Sequence, residues 1–140
     1  MKINKYHIKD LLNDPYWIIF SVQNPVRTKM SAVANDHAHR VLITTLSLGL
    51  HKFAETKGHY AGKSELGVFL KTNQYKRIVA RAIAIAYRQE SVLTHEGLVY
   101  QDGSCHPATG ITIHPSRPSG DYTEINGIYF SVDIDFSKKI

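Results

Sequence analysis

The sequence predicts one α+β domain over residues 1–140, a ferredoxin-like two-layer sandwich whose antiparallel sheet carries two helices on one face. Three observations favour it. The 140 residues are a common length for one domain, and 43% of them are hydrophobic. Two segments repeat apolar residues at spacings of three and four, as helices do. Short runs rich in β-branched and aromatic residues surround them, which gives the order β-α-β-β-α-β and a further C-terminal strand.

The first half of the chain supplies a strand, a helix and a hairpin. The strand covers 16–22, where the sequence YWIIFSV is aromatic and β-branched, and Pro25 follows it closely. A helix is expected over about 35–50. Two strands at about 52–60 and 65–71 follow, joined by the four-residue loop AGKS.

The second half supplies a helix, another hairpin and the last strands. The helix covers about 75–89, and the runs SVLTH and GLVYQ then form a hairpin that turns near Gly97. Residues 102–120 are rich in Gly, Pro, Ser and His and are expected to form a long loop. A strand or a pair of strands covers 122–134. Because helices would cover only one face of this sheet, the other face favours self-association.

Charge and hydropathy limit the class of protein. No run approaches the roughly 18 apolar residues of a membrane span, and the N-terminus lacks the pattern of a signal peptide. We therefore expect a cytoplasmic protein without membrane contact. The net charge of +5 is compatible with nucleic-acid binding, but the basic residues are scattered along the chain, so nucleic acid is not the favoured partner.

The histidines and the one cysteine do not form a recognisable metal or nucleophile motif. His37 and His39 lie two apart on the predicted helix, so they point about 200° away from each other and cannot share a metal. Cys105, His106 and His114 lie in the predicted loop without a second ligand pair. The sequence predicts no metal site, no disulfide and no cysteine nucleophile.

Tyr60 and Glu65 form the most informative pair, in the segment GHYAGKSE. If AGKS is a four-residue loop, the two residues are directly opposed across the hairpin, with Cβ atoms roughly 5 Å apart. A phenol beside a carboxylate can bind a cationic or amine-bearing ligand. The alternative is an ordinary turn with a solvated glutamate and a half-buried tyrosine.

Three further polar residues lie at the ends of the predicted helices. Gln89 and Glu90 stand where the second helix meets a strand, a place where a carboxylate can be half-buried with a raised pKa. An exposed Glu90 is an equally good interpretation. Asn35 stands at the start of the first helix, where the favoured interpretation is an N-cap.

Six segments, in order over about residues 16–136, resemble the phage-type S-adenosylmethionine lyases, formerly described as hydrolases. The segments are WIIFSVQNP, NDHAHR, GHYAGKSE, YRQESVL, GLVYQDG and GDYTEINGIYFSVD. The histidine-rich loop at 102–120 departs from the family pattern, so the segment that would cover the substrate differs.

The resemblance implies a PII-like fold and a homotrimer whose active sites lie between subunits. It places the active-site tyrosine at Tyr60 and the acidic residues at Glu65 and Glu90. We expect Gln89 and Asn35 as further substrate contacts. The implied enzyme is a lyase that needs no metal and no cofactor. It cleaves S-adenosylmethionine to methylthioadenosine and homoserine lactone in the host cytoplasm, and so counters restriction–modification by depleting the methyl donor.

The implied mechanism uses the substrate's own carboxylate, which attacks Cγ and closes the lactone. Holding the substrate in that folded pose can supply up to about 7–11 kcal/mol of the barrier reduction. Two alternatives remain open at this point. One is a hydrolase in which Glu65 is the general base and homoserine is the product. The other is a non-catalytic nucleic-acid-binding module.

Overall fold

The computed structural model describes residue 3, residues 7–25 and residues 29–140. Helices in these residues are α1 Ile8–Asn13, α2 Ala32–Leu48 and α3 Arg77–Ala86. The strands in the same residues are β1 Trp17–Phe20, β2 Lys52–Tyr60, β3 Lys63–Lys71, β4 Ser91–Thr94, β5 Gly97–Tyr100, β6 Cys105–His114, β7 Tyr122–Ile125 and β8 Ile128–Ile134.

The strands form a closed antiparallel barrel in the order β1-β3-β2-β7-β8-β6-β5-β4. The barrel closes where β4 pairs with β1, with Ile18 opposite Thr94 and Ile19 opposite Leu93. The predicted ferredoxin-like, PII-like two-layer sandwich with two helices on one face of an open sheet is therefore wrong.

The fold differs from the prediction because the second half of the chain forms more strands than expected. Ten residues of the segment predicted as a loop form β6, which pairs with β5 on one side and with β8 on the other. The last segment folds back on itself as the hairpin β7–β8, and β7 also pairs with β2. These additional strands carry the sheet around until its two edges meet, which satisfies the edge hydrogen bonds that an open sheet would expose.

The β2–β3 hairpin is tighter than predicted. Its turn consists of Ala61 and Gly62, both with positive φ (52° and 77°), as in the type I′ turns that favour two-residue hairpins. Tyr60 consequently pairs with Lys63, and Glu65 pairs with Gly58. The prediction of a four-residue loop with Tyr60 directly opposite Glu65 is wrong by two residues.

Helix α2 begins earlier than predicted. Ser31 is the N-cap, and its side chain accepts a hydrogen bond from the backbone N–H of Ala34 at 3.1 Å. The predicted cap, Asn35, lies in the first turn of the helix instead. Helix α1 was not predicted at all, because its six residues are too few to show a helical repeat.

The barrel wall separates two apolar cores because successive residues of a strand point to opposite faces. Outside the wall, α2 and α3 pack against residues such as Ile18 and Phe20 of β1. Inside it, Trp17 stacks on Phe69 with ring centroids 5.6 Å apart, and α1 packs on this inner core through Ile8. Helix α1 therefore closes one end of the barrel and leaves the other end open.

No helix in the described residues combines the length and the apolar character that crossing a membrane requires.

Candidate active site

The open end of the barrel contains a cavity of about 640 Å³, within the usual range for sites of small ligands. Its apolar lining comes from the inner faces of several strands and from the C-terminal segment: Ile19, Leu93, Leu98, Val132, Ile134 and Phe136. Its polar lining includes Ser21, Thr56, Tyr60, Glu65, Gln89, Ser91, Asp121 and Thr123.

Strand alternation explains why Tyr60 and Glu65 reach the same cavity. In β2 the residues Thr56, Gly58 and Tyr60 share the inner face, and Glu65 of β3 pairs with Gly58. Tyr60 and Glu65 are thus diagonal neighbours, for which strand geometry gives a separation of about 7–8 Å. A Cβ at position 58 would lie 3.0 Å from the ring of Tyr60, so the glycine leaves room for that ring.

The phenol of Tyr60 is held by β7. Its hydroxyl hydrogen-bonds with Oγ1 of Thr123, and the residue as a whole is 42% exposed at the mouth. Burial of the hydroxyl raises the pKa of Tyr60, and the charge of Asp121 raises it further, although the bond to Thr123 acts in the opposite direction. Tyr60 is therefore a protonated phenol that can donate or accept a hydrogen bond.

Glu65 is a partly buried carboxyl group at the mouth of the cavity. Burial raises its pKa, while hydrogen bonds from Asn24 and Ser21 lower it by less. The amide Nδ2 of Asn24 donates to Oε2 of Glu65 at 3.3 Å. Among residues 3, 7–25 and 29–140, no basic side chain contributes to the shift of this pKa, so a cationic ligand would be its natural counter-charge.

Asn35 does not reach the cavity; its amide is bonded to Asn24. Its Oδ1 accepts from the backbone N–H of Asn24 at 2.8 Å, and its Nδ2 donates to Oδ1 of Asn24, also at 2.8 Å. Gln23 continues this network, since its Oε1 accepts from the N–H of Leu66 and its Nε2 donates to the carbonyl of Asn35. These amides connect α2, the segment after β1, and β3 around Glu65.

Gln89 and Glu90 are adjacent in the sequence, but only Gln89 lines the cavity. Gln89 is buried and lines the cavity, and its Nε2 donates to the carbonyls of Gln23 and Tyr87 at 3.1 and 3.2 Å. Glu90 is exposed and does not line the cavity. The predicted contact between Glu90 and the substrate therefore has no geometric support within one chain.

Asp121 and Thr123 are site residues that the sequence analysis missed. Oδ1 of Asp121 accepts a hydrogen bond from the backbone N–H of Ala61 at 3.0 Å, at the turn that follows Tyr60. The alternating pattern of the segment DYTEI could have placed Asp121 and Thr123 on one face. Nothing local in the sequence shows that this face meets Tyr60, because the two strands lie about 60 residues apart in the chain.

The cavity is acidic although the chain is basic. Its acidic lining residues at the mouth are Glu65 and Asp121, and none of the lining residues that the structure describes is Lys, Arg or His. Asp133 reaches the cavity through its backbone, because its carboxylate lies on the outer face of β8 and accepts a hydrogen bond from the hydroxyl of Thr112 at 3.0 Å. The whole sequence carries a net charge of +5. The cavity therefore favours cationic ligands and disfavours phosphates.

The other candidate groups lie elsewhere. Burial raises the pKa of the Cys105 thiol, which makes it a poor nucleophile, and Cys105 belongs to the outer core. His39 is buried and lies 3.1 Å from the carboxylate of Glu55. In residues 3, 7–25 and 29–140, no three His, Cys, Asp or Glu side chains are grouped so that they could hold a metal ion.

Comparison with known proteins gives no family. No protein-family model matches the chain, and no curated protein matches it significantly. The resemblance to S-adenosylmethionine lyases therefore depends on the six sequence segments alone.

Proposed function

We propose that the open end of the barrel binds a small metabolite with a sulfonium or ammonium group, and that the reaction performed there is the cleavage of S-adenosylmethionine. The observation that carries the proposal is the acidic cavity of a chain with net positive charge, in which the partly buried Glu65 forms no ion pair with any residue that the structure describes. A buried carboxyl group with a raised pKa and no basic partner is typical of a functional site rather than of a structural ion pair.

The chemistry of S-adenosylmethionine matches the two parts of the lining. Its sulfonium and ammonium groups are cations for Glu65 and Asp121, and its adenosine part suits the apolar walls further inside. At an effective dielectric constant near 20, two opposite unit charges 4 Å apart attract by about 4 kcal/mol. Tyr60 supplies a neutral hydrogen-bonding group beside them.

In the proposed lyase reaction the substrate provides its own nucleophile. The carboxylate oxygen attacks Cγ, the Cγ–S bond breaks, and its electron pair returns to sulfur. The products are neutral methylthioadenosine and homoserine lactone, which keeps its protonated amine. Glu65 and Asp121 hold the cationic groups and Tyr60 orients the folded substrate, so no protein nucleophile and no metal enter a step.

The hydrolase remains a second candidate because of one observation. Burial raises the pKa of Glu65, and a carboxylate with a raised pKa is a better general base for activating water. The nucleic-acid alternative is not proposed for this cavity, since its carboxyl groups would repel phosphates.

One experiment tests binding and charge together. Calorimetry should compare S-adenosylmethionine with S-adenosylhomocysteine, which lacks the sulfonium charge and one methyl group. Loss of that charge should weaken binding by about tenfold or more, which corresponds to about 1.4 kcal/mol. Equal affinities, or no binding of either compound, would contradict the proposal.

A second experiment identifies the reaction. Protein incubated with S-adenosylmethionine, with or without a chelator, should release methylthioadenosine. In ¹⁸O-labelled water the lyase gives unlabelled lactone first, and slow ring opening then labels only the carboxylate of homoserine. Label in the side-chain hydroxyl would show the hydrolase instead. Depletion of the methyl donor in a phage-infected cell is the biological role that we attach to this activity.

The homotrimer is likewise a proposal that depends on the family resemblance. The open two-layer sheet from which self-association was predicted is replaced by a closed barrel, so that argument no longer supports the trimer. Light scattering should give three subunits. A monomer with full activity would show that the site needs no partner.

A further inference from the structure

We propose that Asn24 and Asn35 are positioning residues, which together fix the carboxylate of Glu65 at the open end of the barrel. In this proposal neither side chain contacts the ligand, and the positioning role replaces the substrate contact that the sequence analysis expected of Asn35. The inference depends on the proposed function only for its effect on catalysis, because the position of Glu65 can be measured without any ligand.

The first step is the direct contact. Nδ2 of Asn24 donates to Oε2 of Glu65 at 3.3 Å, and this bond spans from the segment after β1 to the inner face of β3. Strand β1 ends at Phe20, which pairs with Val68, so no ladder partner continues alongside Glu65 at this side. A side-chain bond thus restrains the carboxylate at the point where the backbone ladder stops.

The second step explains why Asn24 can hold this position. Its φ is 48°, a left-handed conformation that Asn adopts more readily than most residues other than glycine. Asn35 binds it twice, because its Oδ1 accepts the backbone N–H of Asn24 and its Nδ2 donates to the side-chain Oδ1. The second of these bonds fixes the amide plane of Asn24, so that its Nδ2 is directed towards Glu65.

The third step anchors the pair to the barrel. Gln23 is buried and bonds on both sides, with Oε1 accepting from the N–H of Leu66 at 2.9 Å and Nε2 donating to the carbonyl of Asn35 at 3.3 Å. Helix α2 is therefore tied to β3 next to Glu65. This arrangement leaves Asn35 with both amide atoms in use, which favours positioning over ligand contact.

The charges around Glu65 come from two sides of the wall. On the cavity side Tyr60 and Asp121 line the same cavity. On the other side Glu65 also lines a groove of about 360 Å³ that contains Lys57, Arg117 and Glu124. Burial is the largest cause of the raised pKa of Glu65, and the hydrogen bond from Asn24 is the largest opposing one. Loss of that bond should therefore raise the pKa of Glu65 further.

The test compares two matched variants, Asn24→Gly and Asn126→Gly. Both residues are asparagines with nearly the same left-handed φ, 48° and 49°, so glycine preserves the backbone at each. Asn126 lies in the β7–β8 turn, and its amide binds the carbonyl of Ile3. A ¹³C NMR titration of the ligand-free protein should show a higher pKa for Glu65 in Asn24→Gly and no change in Asn126→Gly.

Asn35→Ala provides the second variant, since alanine keeps a good helix former in the first turn of α2. We expect the same upward direction for the pKa of Glu65, and an affinity for S-adenosylmethionine that falls about threefold to tenfold, as for one lost hydrogen bond. An unchanged titration of Glu65 in Asn24→Gly, or equal changes in both glycine variants, would overturn the positioning role. If the unmodified chain binds no S-adenosylmethionine, the proposed function fails while the titration still decides the positioning.

Discussion

The two ends of the barrel interior are built from different kinds of residue. At the closed end the aromatic rings of Trp17 and Phe69 stack, and α1 covers them with Ile8. At the open end β2 and β3 present Tyr60 and Glu65 to a cavity. The closed end therefore stabilises the fold by burying apolar side chains. The open end instead contains polar side chains that are partly shielded from water by the cavity. The barrel can hold such a site because its stability is supplied elsewhere.

The same difference between the two ends of the barrel is seen in two glutamates, Glu96 and Glu65. Glu96, in the β4–β5 turn near the closed end, accepts hydrogen bonds from Nε of Arg77 at 2.6 Å and from the hydroxyl of Tyr75 at 2.9 Å. The bond from Arg77 is the main cause of its lowered pKa. Within the part of the chain that the structure describes, no cation hydrogen-bonds to Glu65, and burial raises its pKa. Glu96 is a structural ion pair, and Glu65 remains available for a ligand.

The largest expected effect on stability is at the closed end. Phe69 is fully buried in the inner core, so Phe69→Ala should lower the free energy of unfolding by about 3–5 kcal/mol. Urea denaturation measures this change. The control is Phe136→Ala, whose side chain is 66% exposed and should contribute much less. A loss below about 1 kcal/mol in Phe69→Ala would show that the inner core is not as tightly packed as described.

The largest expected effect on function is at the open end. Glu65→Gln removes the charge that we assign to the cationic substrate, and turnover of S-adenosylmethionine should fall about tenfold to a hundredfold, as for a charged hydrogen bond of about 1.5–3 kcal/mol. The matched control is Glu90→Gln, because Glu90 is exposed and outside the cavity lining. If Glu90→Gln had the larger effect, the site would be in the wrong place or would require a second subunit.

Tyr60→Phe should slow turnover less than Glu65→Gln. The substitution removes only the hydroxyl that bonds with Thr123 and keeps the ring against Gly58. We expect a loss of about fivefold, as for one neutral hydrogen bond of about 1 kcal/mol. Circular dichroism should show an unchanged fold. Full activity in both Tyr60→Phe and Glu65→Gln would show that the active site is not located at these two residues.

At the closed end, Glu96→Gln should lower stability at neutral pH by about 1 kcal/mol, as for a partly exposed ion pair. The pKa of Glu96 is lowered from its ordinary value of 4.5 in the folded chain. The stability that it contributes is therefore present above that value and is lost as the pH falls through the folded pKa. Urea denaturation of both proteins across that pH range should show the difference disappear in acid. A constant difference would mean that packing, not charge, is responsible.

The smallest effect has the opposite sign. Because the pKa of Glu65 is raised above its ordinary value of 4.5 in the folded chain, ionisation of Glu65 opposes folding. Glu65→Gln should therefore be slightly more stable than the unmodified chain above the folded pKa of Glu65, and the two should become equal as the pH falls below 4.5. A variant less stable than the unmodified chain at neutral pH would show that Glu65 is a structural residue.

The sequence alone located much of the local structure and the central pair of the site. The strand predicted at 16–22 contains β1, and the helices predicted at 35–50 and 75–89 overlap α2 and α3. These elements could be predicted because their apolar periodicity is local and strong. Tyr60 and Glu65 line one cavity as expected of neighbours in a hairpin, although the two-residue turn makes them diagonal.

Only the tertiary structure decided that the sheet closes and what the cavity contains. Strand β6 lies in a segment that was predicted to be a loop because it is rich in Gly, Pro and His. It is a strand because it pairs with β5 and β8. Asp121 joins Tyr60 because β7 pairs with β2 across a long separation in sequence. Asn35 likewise meets Asn24 only because α2 folds back on the segment after β1. Such pairings depend on which partners remain available when the whole sheet closes, and periodicity within one segment carries no information about that choice.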